Sequence, residues 1–173
     1  MKKIGMIFLS IILVIFCGFT IFLNIKYELG TVVGTSMEPT LVANDRILIE
    51  KNAKKFNRFD IISFEIEEEQ LVKRIIGLPG DKIKYCYQNG KTTLLINDIE
   101  VKESFYYSEW VEYFKEATIQ DFVTNEINVL VPEGCYYVLG DNRFSSKDSR
   151  TFGYITEKQI IGKVIYSGRG MAK

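Results

Sequence analysis

The sequence predicts a mainly β domain carried behind one N-terminal transmembrane helix. Three observations predict it. Residues 4–23, IGMIFLSIILVIFCGFTIFL, hold no charge and match the length a helix needs to cross a bilayer core. Beyond them, short stretches in which apolar and polar residues alternate recur between turn signals, the pattern of half-buried strands. Twelve Phe and ten Tyr against three Pro favour a β-rich globular body over disorder.

In chain order, Lys2 and Lys3 stand before the apolar run, so residues 1–3 are expected in the cytoplasm and the rest of the chain outside. The run is longer than the usual core of a removable signal, and its end, Phe22-Leu23-Asn24-Ile25-Lys26, lacks a small-x-small cleavage site. A retained anchor in the cell membrane, in contact with lipid, is therefore expected over residues 4–23. Residues 24–30 read as a polar connector, and residues 31–173 as one extracytoplasmic domain.

Within that domain, Asp45 to Lys51 and Phe59 to Ile66 alternate in strand fashion, and Glu67-Glu68-Glu69 reads as a solvated turn. Leu71 to Ile76 is a third strand, closed by the turn Gly77-Leu78-Pro79-Gly80-Asp81. Residues 82–135 form a separate β-rich section. Lys82 to Tyr87 and Thr92 to Ile96 make a hairpin around Asn89-Gly90, and Asn97-Asp98 reverses the chain before Ile99. Tyr106, Trp110, Tyr113 and Phe114 recur at helical spacing, giving one short amphipathic helix whose aromatic face either packs or touches lipid or a partner. Asn125 to Val131, Tyr136 to Leu139 and Ile160 to Tyr166 complete the strands.

Composition restricts the chemistry. The chain has no histidine, which removes the Ser-His-Asp triad, the Cys-His pair and most zinc sites. Cys17, Cys86 and Cys135 have no metal-ligand spacing, and Cys86 and Cys135 are expected to stay unpaired. Twenty-two basic residues balance twenty-two acidic ones, leaving no nucleic-acid footprint. No cofactor or metal is expected.

A serine nucleophile in such a chain needs a lysine, a carboxylate or the amino terminus as its base, and lysine is the group with precedent. Ser36 lies in Gly34-Thr35-Ser36-Met37-Glu38-Pro39-Thr40-Leu41, where Gly34 permits close approach of a ligand and Pro39 stiffens the backbone just beyond. Lys73 is flanked by Leu71, Val72, Ile75 and Ile76. Burial among them would lower its pKa into the range a base needs near neutrality. Its neighbour Arg74 points to the opposite face of the same strand. Downstream, Tyr136 to Leu139 runs into Gly140-Asp141-Asn142-Arg143-Phe144-Ser145-Ser146-Lys147-Asp148-Ser149-Arg150, a polar loop of the kind that carries function on a rigid sheet. There Ser146 can orient a buried lysine amine. Asp148 and Arg150 can pair with each other, or either with Arg74.

Four blocks, GTSMEPTL at 34–41, NDRILIEK at 44–51, VKRIIGLPGD at 72–81 and LGDNRFSSKDSR at 139–150, resemble those of the bacterial type I signal peptidases in their order, in the compact Gram-positive-type form. With the anchor they span nearly the whole chain except 82–135, which that family varies freely. The resemblance implies the family's β-rich protease fold and a membrane-bound serine endopeptidase that removes signal peptides from preproteins after an Ala-x-Ala-like site. It makes Ser36 the nucleophile and Lys73 the base, with Ser146 orienting the lysine and Asp148 and Arg150 a bracing pair. Arg74 takes a structural role and Met37 helps line the substrate cleft. Some members carry a serine two residues before the nucleophile as an oxyanion donor; here Gly34 stands there, leaving the Ser36 N–H. Rival readings are a cytoplasmic Ser-Lys autoprotease, which the anchor opposes, a peptidase dedicated to one substrate such as a pilus subunit, and a non-catalytic membrane-anchored scaffold.

Overall fold

A computed structural model describes residues 2–88, 91–101 and 128–168 of the 173-residue chain. The aromatic stripe of Tyr106, Trp110, Tyr113 and Phe114 lies outside these residues. Helix α1 (Lys2–Lys26) is followed by strands β1 (Tyr27–Thr31), β2 (Arg46–Lys51), β3 (Ile61–Ile66), β4 (Glu69–Gly77), β5 (Lys82–Gln88), β6 (Lys91–Ile96), β7 (Ile99–Glu100), β8 (Asn128–Leu130) and β9 (Cys135–Leu139). A four-residue helix α2 (Ser149–Phe152), β10 (Ile155–Thr156), a 3₁₀ turn (Glu157–Gln159) and β11 (Ile160–Gly168) complete the elements of the described residues.

The apolar run forms α1, and an 18-residue stretch of its segment Ile4–Lys26 has a mean hydropathy of 2.9 with none of it buried against the rest of the protein. It fits a single-pass membrane anchor. The polar connector expected at 24–30 does not form. Residues 24–26 are the last turn of α1, and Tyr27 to Thr31 pair antiparallel with Glu50 to Arg46. The open edge of β2 supplies backbone partners that this segment would otherwise have to find in water. Lys26 reaches Glu50 at 3.3 Å and Lys51 donates to the Asn24 carbonyl at 2.6 Å, so the helix end is tied to the sheet.

Seven strands form one antiparallel sheet in the order β1-β2-β11-β3-β4-β9-β10, and four form a second in the order β7-β6-β5-β8. The period of two assigns their side chains to separate cores. On β4 and β9, Ile75, Tyr136 and Val138 enter a cluster with Ile62, Phe64 and Ile155. The alternate residues Ile76, Tyr137 and Leu139 face Ile83, Leu94 and Ile96 of the second sheet and Val131 just beyond β8. A third cluster, Val32, Met37, Leu41, Ile47 and Ile49, lies under the loop that carries Ser36.

Turn chemistry matches the sequence. Glu67 and Glu68 (φ 51° and 66°) turn β3 into β4, and Asn97 and Asp98 (φ 53° and 63°) turn β6 into β7; left-handed pairs of this kind suit the twist of a two-residue hairpin. Glu69, expected in the acidic turn, already belongs to β4. Cys135 is a free thiol.

Candidate active site

Strand β4 positions Lys73. Ile61 to Ile66 of β3 and Arg74 to Gly77 against β9 hold it from both sides, so its side chains have little freedom. Lys73 is 3% exposed, and its Nζ donates to Ser36 Oγ at 2.8 Å and to the Val72 carbonyl at 3.0 Å. Burial penalises the ammonium and pushes Lys73 down to about 8, against the pull of the Asp148 and Asp141 carboxylates in the other direction. At that value roughly a tenth of the amine is neutral at pH 7.

The loop that carries Ser36 is anchored from below. Leu41 N–H bonds the Met37 carbonyl at 2.9 Å and Glu38 N–H the Thr35 carbonyl at 3.1 Å. Gly34 has φ +82° and open space where a Cβ would stand, so backbone conformation rather than crowding favours glycine there. Met37, expected to line the cleft, is instead 2% exposed in the cluster under the loop. The tight turn sends its side chain into the core while Ser36 remains half-buried at the surface.

The loop after β9 closes over this pair. Asp148, fully buried, accepts from Arg150 Nε and Nη2 at 2.8 Å each and from Gly140 N–H at 3.0 Å. Of the pairings open in the sequence, the Asp148–Arg150 pair is the one formed, and Asp148 also caps α2. A Cβ at Gly140 would overlap Ser146 and the Ser36 carbonyl oxygen, so glycine is needed for the loop to lie this close to Ser36. Ser146 is therefore beside the Ser36 backbone, but the expected bond to the lysine amine is absent. Its Oγ is buried with no hydrogen-bond partner, while the amine contacts Ser36 Oγ and the Val72 carbonyl.

Arg74 bonds a residue that no sequence pattern singles out. Its Nε and Nη2 reach Asp141 at 2.8 and 2.6 Å, its Nη1 the Phe59 carbonyl at 2.9 Å, and its Nη2 also Thr40 Oγ1 at 3.2 Å. Thr40 donates to Asp141 in turn. The network joins β4, the loop that carries Ser36 and the loop after β9. In the sequence Asp141 is one polar residue among many; its signal is that a buried guanidinium requires a buried carboxylate.

The assembled geometry is a half-buried hydroxyl in contact with a desolvated amine, held on three separate segments by buried ion pairs. It can move a proton between Ser36 and Lys73 without histidine or metal. Among the described residues, no group of three or more His, Cys, Asp or Glu side chains could hold a metal ion.

Comparison with known proteins places this geometry in context. Residues 1–167 match the family described as signal peptidase, peptidase S26. The chain is 42% identical over 160 residues to signal peptidase I U of Bacillus subtilis, covering 89% of this chain and 81% of that protein. It is 35% identical over 170 residues to signal peptidase I V of the same organism, covering 90% of each. Signal peptidase I of Bacillus caldolyticus is 40% identical over 137 residues, 76% of this chain and 73% of that one.

Proposed function

The chain belongs to the signal peptidase family, peptidase S26, as a serine endopeptidase that removes signal peptides, and we propose that Ser36 and Lys73 carry out that reaction as a dyad through an acyl-enzyme. The observation that carries this reading is the 2.8 Å contact between Lys73 Nζ and Ser36 Oγ, with the lysine driven by burial to about 8.

Neutral Lys73 accepts the Ser36 proton as Oγ attacks the substrate carbonyl. The oxyanion meets the Ser36 backbone N–H, a type of donor whose loss costs about 3–4 kcal/mol in other serine proteases. The resulting ammonium passes its proton to the departing amine, leaving Ser36 acylated. Lys73 then deprotonates water, which releases the acyl group. Ser146 lines the site, the Asp148–Arg150 and Arg74–Asp141 pairs brace it, and Gly34 borders the cleft.

Substrates are exported preproteins cut after an Ala-x-Ala-like site. The apolar helix, with Lys2 and Lys3 before it, supports a cell-membrane location with the N-terminus cytoplasmic, the catalytic domain outside and lipid around α1. The test is cleavage of such a preprotein by the full chain in detergent. Wild type cuts at the signal junction, while Ser36→Ala and Lys73→Ala fold and do not. Near-normal activity in Lys73→Ala would show that another group is the base.

A further inference from the structure

The loop after β9 touches the nucleophile through one residue the reaction above does not use. Asn142 donates its backbone N–H to the Ser36 carbonyl at 3.0 Å and its side-chain Nδ2 to the Thr35 carbonyl at 3.2 Å. Its Oδ1 accepts from Ser145 N–H at 3.3 Å. Those two side-chain contacts agree on one orientation of the amide, since exchanging its N and O would oppose acceptor to acceptor and donor to donor. The Thr35 and Ser145 hydroxyls, 3.2 Å apart, make a further link between the same two loops.

The carbonyls that Asn142 grips belong to the two peptide units on either side of the Ser36 Cα. A peptide unit is planar, and the cis bond in this loop is Glu38–Pro39 rather than Thr35–Ser36. The Thr35 carbonyl and the Ser36 N–H therefore share one rigid plane and point in opposite directions. Holding the Thr35 oxygen, which Glu38 N–H engages from within the loop and Asn142 from outside it, fixes the direction of the Ser36 N–H. Donation to that oxygen also polarises the amide and strengthens its N–H as a donor. The preceding residue, Gly34, has φ +82° with no neighbour within reach of a Cβ, so the chain on that side gives little restraint. With Gly34 in the place of a side-chain donor, the Ser36 N–H carries the oxyanion stabilisation.

We propose that Asn142 is the positioning residue of the oxyanion donor, its side-chain amide setting the Thr35–Ser36 peptide plane so that the Ser36 N–H meets the developing charge. This rests on the dyad reading given above. Asn142 touches no reacting atom in this role; it acts through the backbone of the nucleophile.

The experiment compares the full chain with Asn142→Ala, Asn142→Asp and Asn142→Gln in detergent on an Ala-x-Ala preprotein, with Ser36→Ala as the blank. Asn142→Ala keeps the backbone bond and loses the side-chain grip. Its kcat is expected to fall on the order of tenfold to a hundredfold, as a misaimed donor allows, with KM and the pH of the rising activity limb unchanged. Affinity for a peptide boronate, whose adduct with Ser36 places an anionic oxygen at the donor, falls by the same factor. Asn142→Asp keeps the shape and the acceptor for Ser145 N–H but cannot donate, so it loses boronate affinity as well and decides the matter if the alanine variant does not fold. Asn142→Gln, which keeps an amide donor, recovers part of the loss. An unchanged kcat, a loss carried by KM, or unaltered boronate affinity in folded variants would overturn the assignment. A wild-type chain that cuts no preprotein would instead bring down the dyad reading, and this inference with it.

Discussion

The Arg74 guanidinium holds the Asp141 carboxylate through two bonds, 2.8 and 2.6 Å, with both side chains at most 9% exposed. Lys73, the adjacent residue on β4, reaches Ser36 instead. Two neighbouring cations thus have opposite fates: one is neutralised by a partner, the other is stripped of water and set against a hydroxyl.

Removing one member of the first pair should be costly. Arg74→Met leaves a buried carboxylate unpaired and is expected to lower stability by about 3–5 kcal/mol. The double change Arg74→Met with Asp141→Leu should lose clearly less. Thermal or urea unfolding of the three proteins measures both terms, and equal losses in single and double variants would contradict the pairing argument.

Activity should follow deprotonation of Lys73. The kcat/KM profile is expected to rise through about pH 8. The Asp148 carboxylate raises the lysine, so Asp148→Asn should move that limb to lower pH while reducing the maximum, because Arg150 loses its partner. A shift to higher pH would reverse the assigned electrostatics.

Lys73 itself should work against stability. Its folded value, about 8, lies below the ordinary 10.5, so at pH 7 burial of the ammonium costs about 3 kcal/mol. Lys73→Met should abolish cleavage yet melt higher than wild type at pH 7, by up to that amount. Between pH 8 and 10.5 the unfolded wild-type chain binds more protons than the folded one, so wild-type stability rises there and the gap should close. Melting curves of both proteins from pH 7 to 10.5 check it.

Asp81 ties the two sheets together. Burial alone would raise its carboxyl, but bonds from Arg58, the Leu78 N–H and Asn97 outweigh that and hold it below its ordinary 3.8. A depressed carboxyl stabilises the fold above the unfolded value, and the contribution disappears as pH falls through the folded one. Asp81→Ala is expected to cost about 2 kcal/mol at pH 7, with the difference from wild type fading as the solution is acidified below 3.8. Unfolding midpoints at pH 7 and in acid test both parts.

Much of the fold was legible in sequence because its causes are local. The uncharged run at 4–23 becomes α1, and the alternating stretches at 45–51, 59–66 and 71–76 become β2, β3 and β4, displaced by a residue or two at their ends. The left-handed turns at Glu67-Glu68 and Asn97-Asp98 fall where turn residues stand. The β1 strand was not legible, because Tyr27-Glu28-Leu29-Gly30-Thr31 has little alternation of its own and is made a strand by the free edge of β2.

By itself the sequence determined the apolar helix, the β character of the domain, the absence of histidine chemistry, and Ser36 and Lys73 as the candidate pair. Tertiary structure alone decided what surrounds them. Arg74 takes Asp141, 67 residues away, and Asn142 takes the Thr35 carbonyl across 107. Met37 turns into the core, and Ser146 stays beside the Ser36 backbone with its Oγ unbonded. The physical reason is the range of each cause. Periodicity and turn preference act within a few residues, whereas a buried charge or peptide group must be satisfied by whichever segment the sheet topology brings to it.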